Sequence, residues 1–296
     1  MATSIDLPVL VDVLHDWLSC RLPAEALAWW QDRQARIVAT ASTKVLFVAF
    51  SQVPRHIPKT DLNLTPQELA AAQQMADWDP SAWSLDQGAR IGLLLSFLRQ
   101  QPERDRQVIP QLFAAADVSE LVTLYQSLML FPNPNQWHSL AAEGVRSNMT
   151  AVFNAIALHN AYPMHYFDLP AWNQMVLKAL FVGSSLHSIW GLDRRANPEL
   201  ARMAIDYVHE RWAAQRSVPS DLWRVVGPFA DKTTEADLVR AWQQAEQQQD
   251  RQQQQALALA CAQSPDPTIQ SLLASYPDLR DRIQHGQLIW ENRYDH

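Results

Sequence analysis

Thr65-Pro66-Gln67-Glu68 is the stretch from which the fold can be read first. Threonine is favoured immediately before a helix, and proline suits the first helical position because its missing N–H would have no partner there. A glutamate three residues after the threonine can accept from the threonine's backbone N–H and so complete a capping box. The stretch therefore predicts that a helix begins at Pro66.

Equivalent signals recur along the chain. The stretches Ser84–Gln87 and Asp117–Glu120 each precede apolar residues at helical spacing, and Asn197-Pro198-Glu199 predicts a helix that reaches Ala214. Only 7 of the 296 residues are glycine, and most of the 18 prolines separate periodic segments. The sequence thus predicts an all-α protein of stacked antiparallel helices, an α-solenoid or HEAT-like array, although no sequence repeat at a fixed period supports the array.

Composition and charge exclude several classes of function. The net charge is -7 and no long basic run is present, which argues against nucleic acid as a partner. The longest apolar stretches are far shorter than the ~20 residues that span a bilayer, so no integral membrane segment is expected. Cys20 and Cys261 lie far apart without metal-like spacing, and the first residues do not resemble a signal peptide. These features favour a cytoplasmic protein.

Prolines and a change in composition suggest the chain's organisation. A long helix is expected from Gln136 to His159, and another from Ala171 to about Val182. Residues 243–255 are rich in glutamine and have almost no apolar face, which predicts a solvated helix. We expect residues 1–230 to form one helical domain and residues 231–296 to form a C-terminal helical extension.

Several long stretches carry a family resemblance. They are Glu143-Gly-Val-Arg-Ser-Asn-Met149, Asn160-Ala-Tyr-Pro163, Ala171-Trp-Asn-Gln-Met-Val-Leu-Lys-Ala-Leu-Phe-Val-Gly183, Gly191-Leu-Asp-Arg-Arg-Ala-Asn-Pro198, Asp206-Tyr-Val-His-Glu-Arg-Trp212 and Leu222-Trp-Arg-Val-Val-Gly-Pro-Phe229, with Phe50-Ser-Gln-Val-Pro-Arg55 and Trp78-Asp-Pro80 upstream. Together they resemble the bacterial EboA-domain family over roughly residues 50–229. Ala161 and Ser147 depart from the pattern, which has proline and threonine at these positions.

The resemblance implies a biological context without a reaction. Members of that family are encoded in operons beside a UbiA-type prenyltransferase and TIM-barrel proteins, which are linked to the synthesis or export of specialised metabolites. It therefore implies that other proteins of the same operon are partners, and it assigns no catalytic residue.

The densest polar group lies on the helix predicted after Asn197. Arg202, Asp206 and Glu210 follow one another at intervals of four residues, and His209 lies three residues beyond Asp206. An acidic residue and a histidine at this spacing form half of the motif that di-metal helical bundles use, but no second half is present. The alternative is an ordinary Arg202–Asp206 ion pair with a solvated or packed histidine. We predict neither a bound metal nor a cofactor.

Other polar residues permit both a binding role and a structural one. Arg194 and Arg195 precede a helix N-terminus and could bind an anion, or could pair with acidic residues of adjacent helices. Arg55 could join either arrangement. Asn148, Asn173 and Lys178 stand in segments predicted to be apolar helices. They could line a groove, or the two asparagines could tie one helix to the next.

Three hypotheses follow. The leading one is an accessory, non-catalytic helical protein that binds a partner protein or an apolar-aromatic intermediate, prenyl or indole-like, in a pocket of aromatic residues. The second is an enzyme whose helical active site is built on Asp206, His209 and Glu210, although no catalytic template such as a nucleophile elbow or HExxH is present. The third treats all these polar residues as structural ties between helices.

Overall fold

The computed structural model describes residues 6–291. Within this range the chain forms 17 α-helices joined by short connections and 3₁₀ turns, and it forms no β-strand beyond one isolated bridge between Asp61 and Ser84. The prediction of an all-α fold is confirmed. An α-solenoid or HEAT-like arrangement is compatible with this helix content and stays a prediction.

The chain divides into two compact units, of which the first ends at Phe167. Its ten helices are α1 Leu7–Arg21, α2 Ala24–Thr40, α3 Thr43–His56, α4 Pro66–Ala76, α5 Leu85–Gln100, α6 Asp105–Ala115, α7 Val118–Gln126, α8 His138–Arg146, α9 Thr150–Ala157 and α10 Tyr162–Tyr166. Helix α5 is its centre, because nearly every residue from Leu85 to Leu98 is buried and α1, α2, α3 and α7 pack around it.

The second unit begins at Asp168. Its helices are α11 Leu169–Val182, α12 Pro198–Ala213, α13 Leu222–Val226, α14 Glu235–Gln247, α15 Arg251–Gln263, α16 Pro267–Ser271 and α17 Pro277–Gln284. Here α15 is central: Ala256 to Cys261 are all buried, and α13, α14, α16 and α17 pack against it. Gly227, just after α13, approaches Ala260 so closely that a Cβ atom at 227 would lie 2.7 Å from the Ala260 Cα.

The predicted helix starts are confirmed by their hydrogen bonds. Thr65 and Glu68 exchange both bonds of a capping box, at 2.7 and 3.3 Å, and Asp117 and Glu120 do the same at 2.9 and 2.8 Å. Asn197 accepts from the Leu200 N–H at 2.9 Å and starts α12. These starts depend on neighbours within three residues, which is why sequence alone predicts them.

Two predicted helices are wrong in extent. The long helix expected from Gln136 to His159 is interrupted between Arg146 and Thr150, because residues 147–149 have left the helical conformation. The glutamine-rich stretch is a helical hairpin in place of one solvated helix: Gln249 has a positive φ of 54°, and Asp250 then caps α15. Gln253 and Gln255 are buried.

No helix among residues 6–291 is long and apolar enough to cross a bilayer. The predicted boundary at residue 230 between a family domain and an extension stays a prediction.

Candidate functional site

A groove of about 580 Å³ runs between α11 and α12 in the second unit. Helix α11 contributes Gln174, Leu177, Lys178 and Phe181, and α12 contributes Arg202, Met203, Asp206, Tyr207 and Glu210. Phe181 is 72% exposed, which is unusual for a side chain of this size and leaves its ring available to a bound molecule. The groove is therefore apolar along Leu177, Phe181 and Met203 and polar on either side.

Charged residues on the rim partly neutralise one another. Arg202 donates to Asp206 at 2.8 Å and to Glu199 at 2.9 Å, as expected for residues three and four apart on a helix. The hydrogen bond from Arg202 lowers the pKa of Glu199. Burial against the apolar residues lowers the pKa of the Lys178 ammonium. Glu210 forms no ion pair within residues 6–291, so its carboxylate can accept a hydrogen bond from a ligand.

His209 does not line this groove, although Asp206 and Glu210 do. Its imidazole Nε2 lies 2.7 Å from an oxygen of Asp237 on α14. Helix geometry explains this placement, because a residue one position away from Glu210 is turned about 100° around the helix axis. In the described part of the chain, no group of three or more His, Cys, Asp or Glu side chains could hold a metal ion. An acid/base role for Asp206, His209 and Glu210 stays a prediction.

Arg194 and Arg195 occupy different surroundings. Arg195 is half-buried, and its guanidinium carbon lies 4.8 Å from the centre of the Trp172 ring, a cation–π contact. Burial lowers the pKa of Arg195, and the charge of Asp168 opposes that shift. Arg194 is exposed. The neighbouring Asp193 receives two hydrogen bonds from Arg224, at 2.9 and 2.7 Å.

The asparagine predictions have two outcomes. Asn173 is buried on α11 and exchanges hydrogen bonds of 3.3 and 2.9 Å with Asn197, the residue that caps α12. This pair of hydrogen bonds joins α11 to the start of α12. Asn148 is not inside a helix as predicted but is exposed between α8 and α9. Arg55 is also exposed, near the end of α3 in the first unit. A binding role for Asn148 and Arg55 stays a prediction.

Comparison with known protein families shows to which family this chain belongs. The sequence model described as "Metabolite traffic protein EboA" matches residues 10–227, which is most of the chain. The chain belongs to the EboA family. No curated protein matches it. No solved structure matches it either. The EboA name suggests a role in metabolite traffic, and it supplies no substrate and no reaction.

The groove between α11 and α12 lies wholly inside the segment that the EboA family model matches, whereas α14 to α17 follow that segment. The polar residues that join α11 to α12 therefore belong to the family region. The match to residues 10–227 also confirms the EboA resemblance that the sequence analysis identified.

Sequence reasoning missed two polar arrangements in the first unit. Asp86 and Arg90 form a 2.7 Å ion pair inside α5, with each side chain only 1% exposed. Their four-residue spacing was the only available signal, and it does not reveal burial. The second arrangement consists of two histidine–aspartate pairs beside Trp78: His159 with Asp79 at 3.1 Å and His165 with Asp77 at 2.8 Å. The aspartates and histidines are about 80 residues apart, so no local pattern links them.

Proposed function

We propose that this protein is a non-catalytic carrier, which holds an apolar-aromatic metabolite of the prenyl or indole-like class in the groove between α11 and α12. The observation that carries the proposal is the 72% exposure of Phe181 beside Leu177 and Met203 in a groove of about 580 Å³. Pockets for small molecules commonly measure about 300–1,000 Å³ and combine apolar walls with a few polar groups.

The physical basis is the burial of apolar surface. Fully burying a side chain such as phenylalanine contributes roughly 1.5–3 kcal/mol, so a ligand that covers Phe181 gains part of this free energy. Aromatic ligands gain a further increment from ring contact with Phe181. The groove residues therefore favour a flat or branched apolar molecule over a sugar or a nucleotide.

The rim favours a ligand that carries one hydrogen-bond donor. Glu210 supplies a carboxylate outside any ion pair among residues 6–291, and an indole N–H or an alcohol O–H can donate to it. Asp206 is engaged by Arg202 and is less available. The family description as a metabolite traffic protein supports carriage over conversion. We further propose that the ligand is exchanged with proteins of the same operon, a prenyltransferase or TIM-barrel proteins.

Calorimetric titration of the full chain with indole and with geraniol tests the proposal. We expect saturable binding of at least one of the two, weakened about tenfold in Phe181→Ser because the loss of one buried ring costs somewhat more than 1.4 kcal/mol. Val48→Ser is the matched control, because Val48 on α3 is an exposed apolar residue outside the groove (47% exposed). Its affinity should equal that of the unmodified protein.

Four outcomes would contradict the proposal. Absence of binding, or equal affinity in Phe181→Ser and Val48→Ser, would exclude the groove as the ligand site. Turnover of the bound compound by the purified protein would replace the carrier with an enzyme, and the loss of that turnover in Glu210→Gln would assign the catalytic group. Binding of an amphipathic peptide in place of both small molecules would identify the groove as a docking site for a partner protein.

A further inference from the structure

A second cavity, of about 360 Å³, is bounded by the end of α12 and the segment that follows it, by α14, and by the start of α15. Its lining is largely polar: Gln215, Arg216, Ser217, Arg240, Gln244, Gln248, Asp250 and Gln253, with Trp212, Val218, Ala241 and Ala245 as the apolar part. None of these residues lines the groove between α11 and α12. The glutamine-rich hairpin that α14 and α15 form thus encloses a cavity.

The two arginines of this cavity have no acidic partner. Neither Arg216 nor Arg240 forms an ion pair within residues 6–291. Of the carboxylates on α14 and before α15, Asp237 lies against His209, Glu246 accepts from the Tyr276 hydroxyl at 2.6 Å, and Asp250 accepts from the Gln253 N–H at 2.9 Å. Asp250 is the one acidic residue of the cavity lining, against the two arginines, so the lining carries a net positive charge.

Trp212 positions one of these charges. The guanidinium carbon of Arg240 lies 4.2 Å from the centre of the Trp212 ring, and Trp212 is only 8% exposed. A guanidinium stacked on an aromatic face keeps its N–H edge free for an anion, because the contact with the ring uses the guanidinium face. The stacking thus holds Arg240 in place, while its N–H groups donate to no residue of the described range 6–291.

Gln253 adds a polar group to this cavity. Its side chain is 9% exposed and borders the cavity, and its carboxamide has no hydrogen-bond partner within residues 6–291. The carboxamide atoms are not among the fully buried ones, so they reach the open space of the cavity. Leucine forms helices about as well as glutamine, so helix formation alone does not require a polar side chain at this position. The carboxamide is therefore available to a polar ligand.

We propose that this cavity binds a small phosphate ester, whose phosphate lies between the guanidinium groups of Arg216 and Arg240 and accepts a hydrogen bond from the Gln253 carboxamide. A phosphate monoester carries a charge of about -1.5 to -2 near pH 7 and three acceptor oxygens, which match two guanidiniums and a carboxamide better than a carboxylate does. The remaining glutamines can bond the hydroxyl groups of the esterified part. This site is separate from the proposed carrier groove and does not depend on it.

Isothermal titration of the full chain with glycerol 3-phosphate, at constant ionic strength, tests the site. We expect saturable binding, weaker binding of inorganic phosphate, and no binding of glycerol or acetate. Arg216→Gln and Arg240→Gln should each weaken binding at least about tenfold, the loss that one charge-assisted hydrogen bond implies. Gln253→Leu keeps the shape and should weaken it less. Arg36→Gln on α2, also an exposed arginine without an ion pair among the described residues, is the control and should not change the affinity.

The proposal fails if glycerol 3-phosphate does not bind at millimolar concentration, or if the Arg216 and Arg240 variants bind it as the control does. Acetate that binds as tightly as glycerol 3-phosphate would overturn the assignment of a phosphate. Circular dichroism of each variant verifies that the helices are retained. Binding of indole or geraniol, measured in the same variants, stays unchanged if the two sites are separate, so either proposal can fail alone.

Discussion

At the scale of single residues, Asp86 and Arg90 form the most deeply buried ion pair in the described part of the chain. Both side chains are 1% exposed, and the Arg90 Nε has no hydrogen-bond partner among the described residues. We expect Asp86→Ala to lower the free energy of unfolding by about 3–5 kcal/mol, because it leaves a guanidinium charge buried and unpaired. Urea denaturation monitored by circular dichroism measures this.

The double variant Asp86→Leu with Arg90→Met is the control for that prediction. It removes both charges and replaces them with apolar groups of similar size, so its stability should lie well above that of Asp86→Ala. If the double variant were the less stable of the two, desolvation of the unpaired charge would not be the cause of the loss.

A second residue-scale prediction concerns pH. The hydrogen bond to Asp79 raises the pKa of His159 above its ordinary value, although burial opposes the shift. Burial also raises the pKa of Asp79, but hydrogen bonds from His159 and Ser81 outweigh it and place that pKa below its usual value. Since the folded pKa of the histidine is raised, its stabilisation is full below about pH 6.5 and is lost as the pH rises through the folded pKa.

The measurement is the difference in melting temperature between the unmodified protein and His159→Gln from pH 5 to pH 8.5. The difference should be largest near pH 5 and should shrink towards alkaline pH. It should stay small, corresponding to less than about 1 kcal/mol, because the His159 side chain is 45% exposed and solvent screens the pair. A difference that grows with pH would contradict the assignment of Asp79 as the partner.

Residues whose roles depend on near neighbours could be predicted from the sequence, and those with distant partners could not. Thr65, Asp117 and Asn197 cap helices through groups three residues away. His209 was grouped with Asp206 and Glu210, but its contact is with Asp237, 28 residues further along. The groove residues of α12 were predicted in part because they share one helix face, whereas the position of Phe181 beside them depends on how α11 packs against α12.

At the scale of helices, the close packing of Gly227 against α15 can be tested directly. An alanine Cβ at 227 would lie 2.7 Å from the Ala260 Cα and 2.9 Å from its carbonyl oxygen, which are backbone atoms with little freedom to move. We expect Gly227→Ala to cost about 1–3 kcal/mol of unfolding free energy, as overpacking usually does. The midpoint of chemical denaturation reports the loss.

Gly88→Ala is the matched control for Gly227→Ala. Its Cβ would meet the Leu18 side chain at 3.5 Å and the Leu62 side chain at 3.9 Å, both ordinary contacts. Gly88 also lies inside α5, where alanine is favoured by up to about 1 kcal/mol. This variant should be as stable as the unmodified protein or more so. If both variants were equally destabilised, the close contact between residue 227 and Ala260 would not be the cause of the loss in Gly227→Ala.

The junction of α11 and α12 provides another prediction at this scale. Asn197 caps α12 and also binds the buried Asn173, so Asn197→Ala removes a cap and leaves a buried amide unsatisfied. We expect a loss of roughly 2–4 kcal/mol, from about 1 for the cap and 1–3 for the amide. Ser42→Ala, which removes a cap alone, should cost about 1 kcal/mol or less. Equal losses in thermal denaturation would mean that Asn173 has another partner.

Helix boundaries that lack both a proline and a glycine were the ones that sequence reasoning misplaced. The interruption at residues 147–149 has neither a glycine nor a proline, and the hairpin turn at Gln249 adopts a positive φ without a glycine. Glutamine gives no periodic apolar pattern, so the burial of Gln253 and Gln255 depends on tertiary packing that the pattern does not encode.

At the scale of the whole molecule, the division after Phe167 predicts that the second unit folds by itself. It has its own core around α15, with Trp223, Leu238 and Leu257 almost fully buried. A fragment of residues 168–296 should give a helical circular dichroism spectrum and a single cooperative melting transition. A fragment that is unfolded at 25 °C would show that this core is insufficient alone.

The missing side chain at Gly227 also constrains homologous sequences. Residue 227 is the last that the EboA family model matches, and it rests on α15, a helix that lies outside the matched segment. A chain that packs a helix on this position as closely as α15 does here has no room for a side chain, so we expect homologues with such a helix to keep glycine at 227. A homologue with a larger residue there has to hold its C-terminal helices further from this position.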